Sequence, residues 1–552
     1  MAMTKAAVVD DSPPKNVRPP ILTFQPSLWT DTFSTFSMDE QVQEKYVNEI
    51  NALKEKARSM LKAEGSTTID KLILIDTLER LGVAYHFEQE IEEQLQQIMN
   101  EDWTDYDLFT TALQFRLLRQ HRYHVSCSVF DKFKNTCNKF KETLRTNAKG
   151  LLSLYDATQL RIHGEDILEE AVSFAENHLK RMLPRLESPL KDQVKRALEQ
   201  SFYRGVTRIE TRNYISIYEK DNSRNELLLK LAKLDFNFVQ NLYKKELYDL
   251  MRWWKDVDLM SKLPYSRDRL VECYLWGVAC RFEPQYSYVR KAVAKSMQMV
   301  TNIDDTYDNY ATLEEAELLT DILQRWDTNE LDRLPDCMKA VYRFILSYYE
   351  DYEREATEQG QTFAVAYAKE TVKQLGRAYL KELNWFLGRR MPPFDEYFAN
   401  TVITSCIYVM FTAIIPGMKS VTKETIDWLV TEPNKMVIAT AKMGRYLEDL
   451  GSHERENRGG EMLTAVDCYI KQYGVSKQEA VEKFVELVED GWKDVNTEWV
   501  AKTSIPKDFF EGLLNYARVA EVTYKNCQDG YTNPEKFLAP QIRALFVDPI
   551  IT

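Results

Sequence analysis

Apolar residues recur along this chain at intervals of three and four, the spacing of one face of an α-helix. Leu74, Leu78 and Leu81 make one stripe before Gly82, and Ile91, Leu95 and Ile98 make a second. Val172, Ala175, Leu179 and Met182 make a third, stopped by Pro184, and Val481, Phe484, Val485 and Val488 repeat the pattern near the other end. Almost nothing alternates with period two, so the pattern predicts an all-α protein. Two stretches interrupt it. Residues 1–30 are Pro-rich (Pro13, Pro14, Pro19, Pro20, Pro26) and read as an extended leader. Residues 215–225 carry the charged run from Glu219 to Arg224. A chain of 552 residues is too long for one ordinary core. The second interruption therefore divides it into helical domains at 31–222 and 223–552.

One stripe runs into acid. Val293, Met297 and Thr301 lead to Asp304 and Asp308, four apart on the same face, with Asp305 beside them. Thr312 to Glu315 has the form of a capping box that opens a new helix, so these acids fall in the last turns of their own. The helix dipole is negative there, and each carboxylate costs roughly 0.3–1 kcal/mol. Hard divalent cations with oxygen ligands, Mg²⁺ above all, would relieve that cost, since no Cys or His stands nearby. A solvated acidic helix end is the plain alternative. A second acidic stretch, residues 445–456, reads RYLEDLGSHERE. Glu448, Ser452 and Glu456 share a face with Val437 and Ala441, and Gly459-Gly460 closes the helix beyond. His453 reads as a helix-surface residue. Upstream stand Arg267, Arg269 and Trp276; Arg269 and Trp276 share a face if one unbroken helix holds both. Guanidinium forks suit diphosphate oxygens. Downstream, Tyr524 and then Asp529-Gly530-Tyr531-Thr532 form a polar aromatic turn.

Charge and composition narrow the function. A net charge of −13 argues against nucleic-acid binding. The eight cysteines, without a CxxC pair, read as reduced core thiols. No apolar run approaches the ~20 residues that span a bilayer. The N-terminus shows neither a signal-peptide core nor, with Asp10-Asp11, a transit peptide. There is no Gly-rich phosphate loop, GxSxG elbow, HExxH or long repeat. The first half has Asp105-Tyr106-Asp107 but no DxDD cluster, and reads as structural.

Taken in order, Arg18-Pro19 with Trp29, Arg267-Asp268-Arg269, Trp276, the DDxxD of Asp304–Asp308, the Glu448–Glu456 motif, Asp529 and Tyr531 resemble a plant class I terpene synthase. The resemblance is to the sesquiterpene type, of the germacrene- or cadinene-synthase kind, over essentially the whole length. It implies a catalytic C-terminal helical bundle and an N-terminal domain with no remaining site. It implies several Mg²⁺ ions, or Mn²⁺ in their place, held by Asp304 and Asp308, with Asp305 in support, and by Glu448, Ser452 and Glu456. Arg267, Arg269 and Arg445 would close over the diphosphate of a small-molecule prenyl substrate, with Trp276 and Tyr531 lining the hydrocarbon pocket. Residues 404–408 would help shape the product. Two departures stand out. The second motif opens with Glu448 where the family has Asn or Asp, which leaves Asp449 as the rival ligand. The leader lacks the RRx8W element of plastid enzymes, which with the missing transit peptide points to a cytosolic enzyme using farnesyl diphosphate; a monomer is the default expectation. The alternatives are a monoterpene or acyclic-alcohol synthase, a chain-elongating transferase, which would need a second DDxxD, and a helical scaffold.

Overall fold

The computed structural model describes Arg18, residues 23–388, 390–431, 433–456 and 464–552, and for residues 454–456 the backbone alone. Pro13, Pro14, Pro19 and Pro20 of the leader and Gly459-Gly460 lie outside those residues. Among the described residues every regular element is a helix, apart from an isolated bridge between Lys134 and Phe140. The first half holds α1 (Glu40–Leu61), α2 (Thr68–Arg80), α3 (Glu88–Ile98), α4 (Leu108–Gln120), α5 (Ala148–Thr158), α6 (Asp166–Met182), α7 (Leu190–Glu199) and α8 (Thr207–Tyr218). Local chemistry sets their starts: Asp39 accepts the backbone N–H groups of Gln41 and Val42 to cap α1, and Thr67 with Asp70 forms a capping box on α2. Ile91, Leu95 and Ile98 are buried as expected. On α2 the buried face is Leu72, Ile75 and Leu78, rotated from the predicted stripe, with Leu74 half-buried.

The break at 215–225 is a break between helices. Asn225 accepts the N–H groups of Leu227 and Leu228 to start α9 (Glu226–Val257), which packs against α1 and also against α10 and α11. Beyond it run α10 (Leu270–Cys280), α11 (Ser287–Asn309), α12 (Leu313–Arg325), α13 (Asp336–Glu358), α14 (Ala364–Leu387), α15 (Phe394–Thr404) and α16 (Ile407–Ala413). Then come α17 (Lys423–Val430), α18 (Lys435–Glu456), α19 (Ala465–Tyr473), α20 (Lys477–Val500), α21 (Lys507–Thr523) and α22 (Leu538–Phe546). Six of these close a ring by successive packing: α11 on α10, α10 on α21, α21 on α18, α18 on α15, α15 on α14 and α14 back on α11. The two acid-bearing helices, α11 and α18, thereby occupy separate walls of one bundle. Every residue of α10 is buried, as its almost wholly apolar sequence requires, and its one acid, Glu272, accepts the Trp29 indole N–H at 2.8 Å.

Three expectations need correction. The stretch Phe394–Gly417 does reach membrane-span length and hydropathy, yet 83% of its apolar window is buried inside the bundle. It is also broken into α15 and α16 at Cys406, whose φ of +60° no helix tolerates. Val485 is exposed, because α20 turns only Phe484 and Val488 of that stripe inward. Cys137 and Cys527 are exposed, so the thiols are free but not all in the core.

The halves are joined by polar contacts. Glu489 of α20 accepts Arg161 and Arg204 at 2.6 and 2.8 Å, and Asn496 Nδ2 donates to the carbonyls of Gln159 and Arg161 at 2.9 Å each. Inside the ring, Gly277 lets α10 close on α11: a Cβ there would stand 2.5 Å from the Arg290 carbonyl oxygen. A methyl group at this point must push α11, and with it the acidic helix end, off its neighbour. Gly277→Ala should cost about 1–3 kcal/mol of stability, read as a lowered melting temperature, and reduce turnover at the same time.

Candidate active site

Asp304, Asp305 and Asp308 occupy the last turns of α11, and Tyr310 leaves helical geometry with φ −137°. Thr312 and Glu315 then form the expected reciprocal cap on α12. Positive charge meets the acids at once. Arg267 Nη2 donates to Asp304 at 2.7 Å, its Nε to Asp305 at 3.0 Å, and its backbone N–H to Asp305 at 2.7 Å. Ser266 Oγ and Asn309 Nδ2 also donate to Asp305, at 3.1 Å each. Asp305 is fully buried and both its oxygens are taken, so it holds Arg267 in place and is poorly disposed to ligate a metal.

The second wall is α18. Arg445 donates through Nη1 to Glu448 at 2.8 Å and through Nη2 to Asp449 at 2.7 Å. Their environments differ. The Glu448 side chain is 35% exposed and that of Asp449 1%. Asp449 also accepts the Tyr397 hydroxyl at 3.2 Å and the Ala465 N–H at 2.8 Å, pinning α18 to the start of α19. Ser452 is completely buried and its Oγ has no hydrogen-bond partner among the described residues. Glu456 ends α18, and its side chain lies outside the description.

The two walls share one cleft of about 90 Å³, lined by Asp304, Asp305, Asp308, Arg267, Arg445 and Glu448, together with Glu382 of α14 and Phe24 of the leader. That is the room of about three waters. The walls feel each other electrostatically. Burial, with Asp305 and Glu448 adding to it against Arg267 and Arg445, pushes Asp304 up to about 6. Glu382 went unread in the sequence. Burial pushes it up to about 7, against Arg445 and the hydrogen bonds it accepts from Thr404 and Asn400 at 2.8 and 3.1 Å. Its sequence signal is an acid placed between Tyr379, Leu383 and Phe386, on the inward stripe of a helix.

Other predicted residues sit elsewhere. α10 begins at Leu270, so Arg269 precedes the helix and shares no face with Trp276. Arg269 is 1% exposed, and its guanidinium donates to the carbonyls of Tyr531, Thr532, Gln25 and Asp268. It ties the leader and the Tyr531 turn to α10 and lies outside the cleft lining. Trp276 is buried edge-on to Tyr516, ring centroids 5.3 Å apart. Tyr531 shares a hydrogen bond with Thr301 at 2.6 Å and lies 5.8 Å from the Arg267 guanidinium carbon, beneath the cleft. Asp529 accepts the Thr532 N–H at 2.8 Å and so shapes that turn. His453, expected on the surface, is buried beside Thr464 at the start of α19.

This donor set fits a hard divalent cation. The cleft offers carboxylate oxygens, Ser452 supplies an unpartnered buried hydroxyl, and Asp304 is held above its ordinary range by burial, with the charges of Asp305 and Glu448 adding to it and Arg267 and Arg445 opposing. Among the described residues no three acidic, histidine or cysteine side chains converge as a complete metal cage. Mg²⁺ does not need one, since it keeps waters and takes substrate phosphate oxygens. Two acid-bearing helix ends face each other across a ring of helices, with Arg267 set against one and Arg445 on the other, an arrangement suited to holding a cation-bound diphosphate.

Comparison with known proteins agrees. Residues 255–494 match "Terpene synthase family, metal binding domain" and residues 28–198 match "Terpene synthase, N-terminal domain". The chain belongs to the terpene synthase family. It is 56% identical to gamma-cadinene synthase of Ocimum basilicum, covering 97% of this chain and 99% of that one. It is 52% identical to tau-cadinol synthase of Lavandula angustifolia, covering 97% and 98%. Isoprene synthase from grey poplar leaves (Populus x canescens), solved with three Mg²⁺ ions and dimethylallyl-S-thiolodiphosphate, superposes with a TM-score of 0.87 at 34% identity, covering 93% and 98%.

Asp304 and Glu382 hold protons to higher pH folded than unfolded, so their charging opposes the metal-free fold. Their contribution to stability falls as pH rises from about 4 through about 7. Metal-free protein should melt a few degrees higher at about pH 6 than at about pH 8. Glu382→Gln, neutral at both, should shrink that difference, as scanning calorimetry will show.

Proposed function

We propose that this terpene synthase is a sesquiterpene synthase that ionises farnesyl diphosphate, releases diphosphate and closes the prenyl cation into a cyclic hydrocarbon or alcohol. The observation that carries the reading is the meeting of Asp304, Asp308 and Glu448, from two walls, with Arg267 and Arg445 around one cleft. The C15 chain length is supported by the named products of the basil and lavender relatives. Residues 223–552 carry the chemistry, and residues 31–222 support it without a site of their own. The reading takes the enzyme as a cytosolic monomer.

Mg²⁺ would be held by Asp304 and Asp308 on one wall and by Glu448, Ser452 and Glu456 on the other; when bound, it neutralises the leaving diphosphate so that an allylic C–O bond breaks without proton transfer. Around it the chain's own residues have separate tasks. Arg267 and Arg445, now turned onto carboxylates, exchange those partners for diphosphate oxygens, keeping charge-assisted hydrogen bonds throughout. Asp305 keeps Arg267 aimed while this happens. With only about 90 Å³ free, the walls and the Phe24 side chain must part to admit the substrate. Beneath them, buried rings such as Trp276, Tyr516 and Tyr531 face the cation with π-electrons, each worth roughly 0.5–2 kcal/mol, and exclude water.

Purified protein given farnesyl diphosphate and Mg²⁺ should yield cyclic C15 products by gas chromatography and mass spectrometry, at rates well above those with geranyl diphosphate. Products from geranyl diphosphate alone would replace the reading with the monoterpene alternative. Within the second motif, Glu448→Ala should abolish turnover, whereas Asp449→Ala, which loosens α18 from α19, should only weaken it. The reverse ranking in folded protein would reassign the metal ligand to Asp449.

A further inference from the structure

A cavity of about 750 Å³ lies between α9, α11 and α13, apart from the acidic cleft. Its charge runs against that of the protein. The chain carries −13, yet five cations line this cavity against three acids, Asp336, Asp351 and Glu355. All three acids are engaged: Lys339 Nζ stands 3.2 Å from Asp336, the Tyr288 hydroxyl donates to Glu355 at 2.7 Å, and Arg354 pairs with Asp351. Lys291, Lys295 and Arg343 have no carboxylate at ion-pair distance among the described residues.

Lys295 is the most telling of the three. Its ammonium lies 4.8 Å from the Trp253 ring centroid, in place of a carboxylate. Burial lowers its pKa, with Glu355 and Asp351 opposing that from a distance. An ammonium held this way keeps donors to spare, and a cation–π contact worth about 0.5–2 kcal/mol returns only part of its desolvation cost. An incoming anion would supply the rest. The wall around it is apolar, with Trp253 and Phe344 at 6.1 Å between ring centroids and Val257, Leu259 and Ala292 beside them.

We propose that this cavity is a second, metal-independent binding site for an organic phosphate with an apolar body. Three cations with no carboxylate at ion-pair distance among the described residues, one of them a guanidinium fork, exceed what a single carboxylate needs and suit a phosphate. Lys291 and Lys295 lie on faces of α11 turned about 80–180° from Met297, Thr301 and Asp304. Lys295 is about 14 Å along that helix from Asp304 and about 20 Å from Asp308. The two sites therefore share one helix on different faces, and this proposal stands whatever prenyl length the cleft accepts.

The test is equilibrium dialysis of farnesyl monophosphate against the full-length protein in excess EDTA, which disables metal-dependent capture in the cleft. Binding near one to one is expected, weakened about tenfold or more by Lys291→Met with Lys295→Met and unchanged by Asp304→Asn. Mg²⁺-dependent turnover at low substrate should survive the lysine changes. Farnesol and inorganic phosphate, each alone, should bind about tenfold more weakly or worse. Arg343→Met, at an exposed position, should weaken binding in the same direction and decides the matter if the variant of the half-buried lysines fails to fold. Pelleting with phosphatidic acid vesicles, lost in Arg343→Met, would trace the phosphate to a lipid headgroup. The proposal is overturned if nothing binds in EDTA, if binding ignores both the lysine pair and Arg343, or if Asp304→Asn abolishes it.

Discussion

Carboxylates placed at the C-terminal ends of helices repel the dipole behind them and each other, and two such ends face one cleft here. Without cations the arrangement is unfavourable, and burial in the cleft, with neighbouring carboxylates adding to it, raises the proton affinity of Asp304 and Glu382. Arg267 and Arg445 offset part of it from within the protein. Each is itself held by a buried carboxylate, Asp305 on one wall and Asp449 on the other. The two walls are thus built alike: one outer acid toward the cleft, one arginine, and one inner acid that fixes the arginine. The same arrangement that costs stability without metal creates a site for magnesium and diphosphate together.

The rest of the bundle serves to keep those ends opposed. α10 sits wholly buried between α11 and α21, and Gly277 allows it within backbone contact of α11. Asp449 fastens α18 to the first residue of α19. Arg269 performs the analogous task for the leader and the Tyr531 turn, using four backbone carbonyls. Arg18 reaches from the leader to the Tyr310 carbonyl and to Glu315 at 2.7 Å each, just past the DDxxD motif. The N-terminal segment is therefore anchored at both sides of the mouth that Phe24 lines.

What could be read from the sequence divides along physical lines. Helices and their caps were legible, because period and capping chemistry are local: the Thr312 box and the position of Asp304 at its helix end are as the spacing implied. The facing of α11 and α18 was legible only through two like motifs, since no local rule joins residues so far apart. Arg269 misled, because a charge seven residues before Trp276 looks helical until the helix proves to start one residue later. His453 misled for a similar reason: its burial depends on α19 folding back over α18. Glu382 was hidden because one acid in an apolar stripe resembles noise until the bundle turns it inward beside Arg445. The basic cavity was invisible too, its lysines and arginine being drawn from α11, α13 and the segment after α9, which only packing brings together.

The central claim is that metal and diphosphate are gripped jointly by two helix ends, so each must strengthen the other's binding. Calorimetric titration of Mg²⁺ into the protein with and without inorganic pyrophosphate measures that coupling directly. The account predicts that pyrophosphate tightens Mg²⁺ binding by about tenfold or more, and that Asp304→Asn removes the effect. Equal Mg²⁺ affinity in both titrations, or coupling that survives Asp304→Asn, would contradict it.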